Sequence, residues 1–293
     1  MQHKPPDRST GKLLARCAGA LLLPLLALPP ASAQQVKKNG IAIWELSSAK
    51  LNALLNSVPA TDAARYDRLR QSFIDFGCTG SSLQEQAIDR KGRERNLVCT
   101  LSGDSSQRIL VASSFSVRSP HLSGAWPEAV MLPILYHALS AQPHHSSFVF
   151  AALSGPGGER HFFDLLHKGE APQPILFVAL DALGLGAPHF YVTAPSHPPA
   201  AAPFTGPALL DTAWHIAQLQ GFTSQAVYLA ALQRPNPAIF PNALLNEMKN
   251  SPRVLVYSTF DMAGGPTAFR EDHDFIAFFL GALDMKLTPP PAH

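Results

Sequence analysis

A chain of 293 residues, 46% hydrophobic and only 15% charged, is long and apolar enough for one large α/β domain or two small ones, which excludes a disordered or low-complexity protein. The formal charge is +2 at pH 7. It becomes −1 once the basic leader described next is removed, so bulk charge gives no case for binding nucleic acid or anionic lipid.

Residues 1–33 read as a removable signal peptide. Lys12 and Arg16 form a positive n-region, Cys17 to Leu28 is an apolar run too short to span a bilayer comfortably, and Ala31-Ser32-Ala33 supplies a small-residue cleavage site. An uncleaved anchor is the alternative. No Cys follows the apolar run, which argues against a lipoprotein. Loss of Lys4, Arg8, Lys12, Arg16 and Asp7 leaves 19 basic and 20 acidic residues. The expectation is an exported protein, periplasmic or extracellular, with no membrane span after cleavage. Its two remaining cysteines, Cys78 and Cys99, most simply form one disulfide. No C-x-x-C and no neighbouring His supports zinc ligation by the pair.

Gln34 to Asn39 reads as a polar leader. Leu51 to Phe76 has helical spacing, broken near Pro59, and residues 34–95 are expected to be a helical flank of the domain that follows. Gly77 to Gly80 is a helix stop, and Lys91 to Arg95 a solvated hairpin tip. The core, residues 96–287, opens with the strands Asn96 to Leu101 and Arg108 to Phe115, apolar on both faces as central strands are. Trp126 to Ala141 reads as a helix, with Pro127 in its first turn and Pro133 set to kink it. Ser147 to Leu153 and Ile175 to Leu183 are strands, with a short helix at Phe162 to Leu166 between them. His144-His145 is expected to be a solvated loop pair. Ala194 to Pro207 and Arg234 to Asn242 are loops, and Leu244 to Lys249 one or two helical turns. Ala208 to Gln220 is an amphipathic helix, Val254 to Tyr257 a strand and Asp272 to Leu283 the last helix. Residues 288–293 form a Pro-rich tail. The alternation predicts an α/β three-layer sandwich, a mainly parallel sheet with helices on both faces. Its site should lie at the carboxyl ends of the strands.

The stretch RILVASSFSVRSPHLSGAWPEAVMLPILYHALSAQPHHSSFVFAALSGPGGERHF, Arg108 to Phe162, is a strand-helix-strand unit. With Leu180-Asp181-Ala182-Leu183-Gly184, it resembles the core of the co-catalytic zinc aminopeptidases (peptidase family M twenty-eight). That superfamily also holds glutaminyl cyclases, the transferrin receptor ectodomain and nicastrin. The resemblance covers roughly Asn96 to Leu287 and implies a zinc-peptidase-like fold. It also implies a two-zinc centre of His and carboxylate ligands with a separate Glu as base.

Most of that kit is replaced here. Ser114-Phe115-Ser116 stands at the family's His-x-Asp. Gly124-Ala125-Trp126-Pro127 stands at its Gly-Ala-x-Asp, with Pro127 in place of the bridging Asp. Ser154-Gly155 matches the Glu-Glu pair, followed by Gly158-Glu159. Tyr257-Ser258-Thr259 stands where the last His is expected, with Asp261 and His273 out of register. Asp181 alone remains. Ser and Thr hydroxyls are neutral, weak ligands, so the reading is a pseudopeptidase with no metal or cofactor expected, binding a protein, peptide or small ligand. The alternative is an active metal-dependent hydrolase, with a rearranged set of Asp181 with His121, Glu128, Glu159 or His161 holding zinc. Glu128 falls one position past the lost Asp, which turns it roughly 100° away on a helix. A serine-nucleophile reading, Ser154 with His273 and Asp181 or Asp261, lacks the glycines of a nucleophile elbow. Gly155 to Gly158 and Gly184 to Gly186 lack the fingerprint of a dinucleotide or phosphate loop.

Overall fold

Two strands precede the helices expected of the N-terminal flank. The computed structural model describes residues 33–118, 125–193, 203–221, 244, 252–258 and 265–288. In it β1 (Ala33–Lys38) and β2 (Ile41–Leu46) form an antiparallel hairpin. The segment expected as a polar leader is therefore a strand. Asn39 and Gly40, at φ 47° and 83°, make the turn in which both central residues take positive φ, the pair Asn-Gly being the commonest choice. Only Ala33 of the expected leader lies among the described residues.

Helices α1 (Ser48–Asn56) and α2 (Asp62–Asp75) follow, separated at Pro59 as the sequence implies. The hydroxyls of Ser47 and Thr61 accept from Lys50 N and Ala64 N and cap them. The flank is not purely helical: it also supplies β3 (Leu83–Ala87), which pairs with β4 (Arg95–Leu101). Residues 88–94 are the charged tip of that hairpin. Cys78, just past α2, is bridged to Cys99 on β4.

The remaining elements are β5 (Arg108–Ser114), α3 (Trp126–Leu139), β6 (Ser147–Leu153), α4 (Gly155–His167), β7 (Leu176–Asp181), β8 (Pro188–Thr193), α5 (Gly206–Leu219), β9 (Arg253–Ser258) and α6 (Pro266–Leu287). Strands order as β3-β4-β6-β5-β7-β9-β8. The inner four, β6, β5, β7 and β9, are parallel, while β3, β4 and β8 make antiparallel edges. Period-two alternation splits the sheet's side chains into two cores. Ile109, Val111, Phe148, Phe150, Val178 and Val256 face a large core with α2, α3, α5, α6 and the hairpin. Leu110, Ala112, Ala151, Leu153, Phe177 and Leu255 face a smaller one under Phe162, Phe163 and Leu166 of α4. This is a three-layer α/β fold.

Two points differ from the sequence reading. The short helix expected at Phe162 to Leu166 is part of a longer one, α4, which begins at Gly155 with Pro156 in its first turn. The strand β8 is additional. The expected helix from Trp126 is present as α3, with Pro133 inside it. It is buried on nearly every side, so packing rather than its hydrogen-bond ladder holds it. The segments 194–202, 222–243 and 289–293, with His121, Gly124, Thr259 and Asp261, lie outside the described residues. Among those described, no helix is long and apolar enough to cross a membrane.

Candidate functional site

The carboxyl ends of β5, β6, β7 and β9 meet the N-termini of α2, α3, α4 and α6. The replaced positions are turned to internal hydrogen bonding there. Ser114 Oγ donates to Leu153 O (3.4 Å). Ser116 Oγ donates to Asp62 Oδ2 (3.1 Å) and accepts from Arg118 N (3.2 Å), while Val117 N donates to Asp62 Oδ1 (2.6 Å). Asp62, at the start of α2, thus clamps the strand end. Ser258 Oγ donates to Asp272 Oδ2 (2.6 Å), which also accepts from Gly184 N (2.6 Å). Pro127 sits in the first turn of α3, after Ala125 at φ 61°.

Ser154 and Gly155, at the family's carboxylate pair, start α4. Asn96 of β4 holds this turn: its Oδ1 accepts from Ser154 N (3.0 Å) and its Nδ2 donates to Gly158 O (2.9 Å). Gly155 takes φ 63°, and a Cβ there would lie 3.0 Å from Ser116 Cβ and 3.2 Å from Ser116 Oγ. Ser116 therefore occupies the space that a side chain at position 155 would need.

Three carboxyl groups are buried at this end. Asp181 closes β7 with 1% exposure. Glu128 is fully buried, and its Oε1 accepts from Ala182 N (3.3 Å). Glu128, one position past Pro127 on α3, thus bonds the residue after Asp181. Asp272, on α6, was not foreseen. Burial pushes its carboxyl up to about 8 against the two bonds it accepts, with the charges of Glu271 and Glu128 adding to the rise. Its Oδ1 is buried with no hydrogen-bond partner among the described residues, as fits a carboxyl that keeps its proton at neutral pH.

A buried cation lies at the same end, near Glu128. Arg65 of α2 is 6% exposed. Its Nη1 donates to Phe115 O (2.9 Å) and its Nε to Pro59 O (3.1 Å), with the guanidinium 5.9 Å from the Trp126 ring centroid. Burial draws its pKa below the ordinary value, opposed by the attraction of Asp62 and Glu128. Helical periodicity marks α2 as a packing helix and gives no sign of this arginine.

Among the described residues, the proposed rescue set brings no metal site together. Glu159 and His161 are half-buried on α4, His121 lies outside the described residues, and no group of three His, Cys, Asp or Glu side chains able to hold a metal occurs among the described residues. His273 is buried on α6 with Nδ1 2.8 Å from Asp274 Oδ1, so its neighbour on the helix, not Asp181, partners it. The zinc pair implied by the resemblance does not fit the described residues: among them the buried carboxyls at this end have no imidazole grouped with them but a guanidinium nearby, which is not a zinc-binding donor set.

His144, expected in solvent, is buried far from this end. Its Nε2 lies 2.6 Å from Leu139 O and its Nδ1 3.1 Å from Asp284 Oδ2. Beside the strand ends opens a pocket of about 280 Å³, between the first turn of α2 (Asp62, Tyr66), the β3–β4 tip (Lys91, Arg95), Phe115 and Ser154. Its wall is fixed by Glu85, which accepts from Tyr66 Oη (2.5 Å), Arg70 Nε (2.6 Å) and Arg95 Nη1 (2.9 Å). The Tyr66 bond, then that of Arg70, holds the Glu85 carboxyl down to about 2.

No protein-family model and no curated protein matches the chain. Solved structures do. A glutaminyl cyclase from Fimbriiglobus ruber matches with a TM-score of 0.54 at 15% identity, over 87% of this chain and 99% of the other. One from Macrostomum lignano matches at 0.54 and 15%, over 80% and 89%. A leucine aminopeptidase precursor from Bacteroides thetaiotaomicron matches at 0.53 and 10%, over 79% and 96%. The fold is that of glutaminyl cyclases and zinc aminopeptidases. At these identities the likeness is one of fold, and fold does not carry activity.

Proposed function

We propose that this chain is an exported, non-catalytic pseudopeptidase, built on the glutaminyl cyclase and zinc aminopeptidase fold, which acts by binding a protein, peptide or small ligand or by supporting a complex. One observation carries the reading. At the strand ends, Ser114, Ser116 and Ser258 each donate their hydroxyl to an acceptor of the protein's own. These are interior hydrogen bonds, not donor atoms presented to an ion. A ligand would enter the pocket between α2 and the β3–β4 tip, where charges of both signs surround Phe115 and Ser154. Export rests on the leader over residues 1–33 and agrees with the Cys78–Cys99 bridge.

The test is metal content of the purified protein, measured beside turnover of aminoacyl and N-terminal glutaminyl substrates with and without EDTA. The expected result is neither stoichiometric zinc nor turnover. One zinc per chain with EDTA-sensitive turnover, lost in Asp181→Ala, would establish the rearranged hydrolase instead.

A further inference from the structure

The end of the sheet poses a charge problem. Glu128 is fully buried, and burying a carboxylate in an apolar interior is unfavourable unless a cation or hydrogen bonds compensate it. In a two-zinc centre the ions supply that positive charge. We infer that Arg65 is the resident cation of this centre: its guanidinium takes over the charge compensation that metal ions provide in the fold, and α2 is the plug that delivers it. The inference rests on the reading of the centre as metal-free.

The placement argues for this in three ways. Arg65 reaches the end of β5, where it donates to Phe115 O, the carbonyl between Ser114 and Ser116, the two positions matched to the family's His-x-Asp. Its other flank lies against Trp126, the residue before Pro127, where the bridging carboxylate would stand. Glu128 and Asp62 both act on it as attracting charges. Asp62 is bound in turn to Ser116 and Val117 N. One turn of α2 thus carries a carboxylate that holds the β5 end and a guanidinium that lies against both ligand-bearing segments. Guanidinium suits the task because it is always charged and donates in fixed directions. A divalent ion entering beside it would meet like charge and find its anionic partners already attracted elsewhere.

The experiment is a double-mutant cycle in the full chain, read by thermal unfolding. Arg65→Met removes the cation and keeps a side chain of similar length. Glu128→Gln removes the charge it balances and keeps an acceptor for Ala182 N. Arg65→Met alone is expected to lower Tm by roughly 10 °C, and Glu128→Gln in that background to restore at least half of the loss. If Arg65→Met does not fold, the cycle reads recovery of folded, soluble protein in the double variant. Additive losses, or a double variant that stays unfolded, overturn the inference and leave the metal-free reading standing. Stoichiometric zinc in the wild-type protein overturns that reading itself, so the two failures are told apart.

Discussion

Asp284→Ala is expected to lower stability by about 3–5 kcal/mol, as removal of one partner from a buried charged cluster does. Asp284 lies on α6 with 3% exposure and binds the turn that enters β6. Oδ1 accepts from Ser146 N (2.6 Å), while Oδ2 accepts from His145 N (3.1 Å) and lies 3.1 Å from His144 Nδ1. The second ring nitrogen of His144 faces Leu139 O, so one carboxylate ties α6, the end of α3 and the start of β6. Alanine leaves two backbone N–H groups and a ring nitrogen without their acceptor in a site closed to water. For a domain of this size each kcal/mol corresponds to about 2–4 °C in Tm, so the variant should melt on the order of 10 °C lower by far-UV circular dichroism. The pH dependence follows in sign. Burial raises the Asp284 carboxyl, but the bonds from His144, Ser146 and His145 outweigh it and hold the pKa below the ordinary value. The folded state therefore binds this proton less readily than the unfolded one. The contribution of Asp284 is complete above the unfolded carboxyl value of about 4 and is lost as pH falls through the folded value. The wild-type acid limb should thus be steeper than that of the variant. An Asp284→Ala protein that melts within 2 °C of wild type refutes the reasoning.

Asp272 gives the opposite slope. With its folded value raised to about 8, the folded chain keeps a proton that the unfolded chain releases, so its contribution is full below about pH 4 and lost as pH rises toward 8. Asp272→Asn should flatten the change in urea midpoint between pH 5 and pH 8, and an unchanged slope sinks the assignment. Asn96→Ala deprives Ser154 N of its buried acceptor and should cost about 2–3 kcal/mol by the same denaturant assay; a neutral variant would mean that α4 is held by its apolar face alone.

Layer order and most strands were legible because central strands are continuous apolar runs, and the bridge followed from there being two cysteines. Misses came where one long-range contact outvotes local composition. Gly155-Pro156-Gly157-Gly158 reads as a loop, yet it opens a helix because Asn96, 62 residues before Gly158, binds its first turn. His144-His145 reads as a wet pair, yet Asp284, 140 residues from His144, draws its ring inside. Arg65 was hidden because helical periodicity reports where apolar residues recur and is silent on a cation among them. The β1–β2 hairpin carried a signal that went unused, Asn39-Gly40. At the strand ends, that Ser116 fills the space beside Gly155 was not legible, since proximity between loop residues has no pattern along the chain.

The closeness of Ser116 leaves little room for a metal-binding side chain at position 155. A carboxylate restored at Gly155 would need a residue with φ 63° and a Cβ 3.0 Å from that of Ser116. The backbone conformation alone costs a non-glycine residue about 1–2 kcal/mol, and displacing Ser116 would also disturb its bonds to Asp62 and Arg118 N. Gly155→Ala, which adds only the Cβ, should therefore lower stability by about 2–3 kcal/mol. Measured against Ser116→Gly as the background, Gly155→Ala should cost only the conformational part, whereas it would cost the same in both backgrounds if Gly155 were there for its backbone freedom alone. Equal urea midpoints for Gly155→Ala and wild type would mean that the gap between β5 and α4 is still open to a ligand side chain.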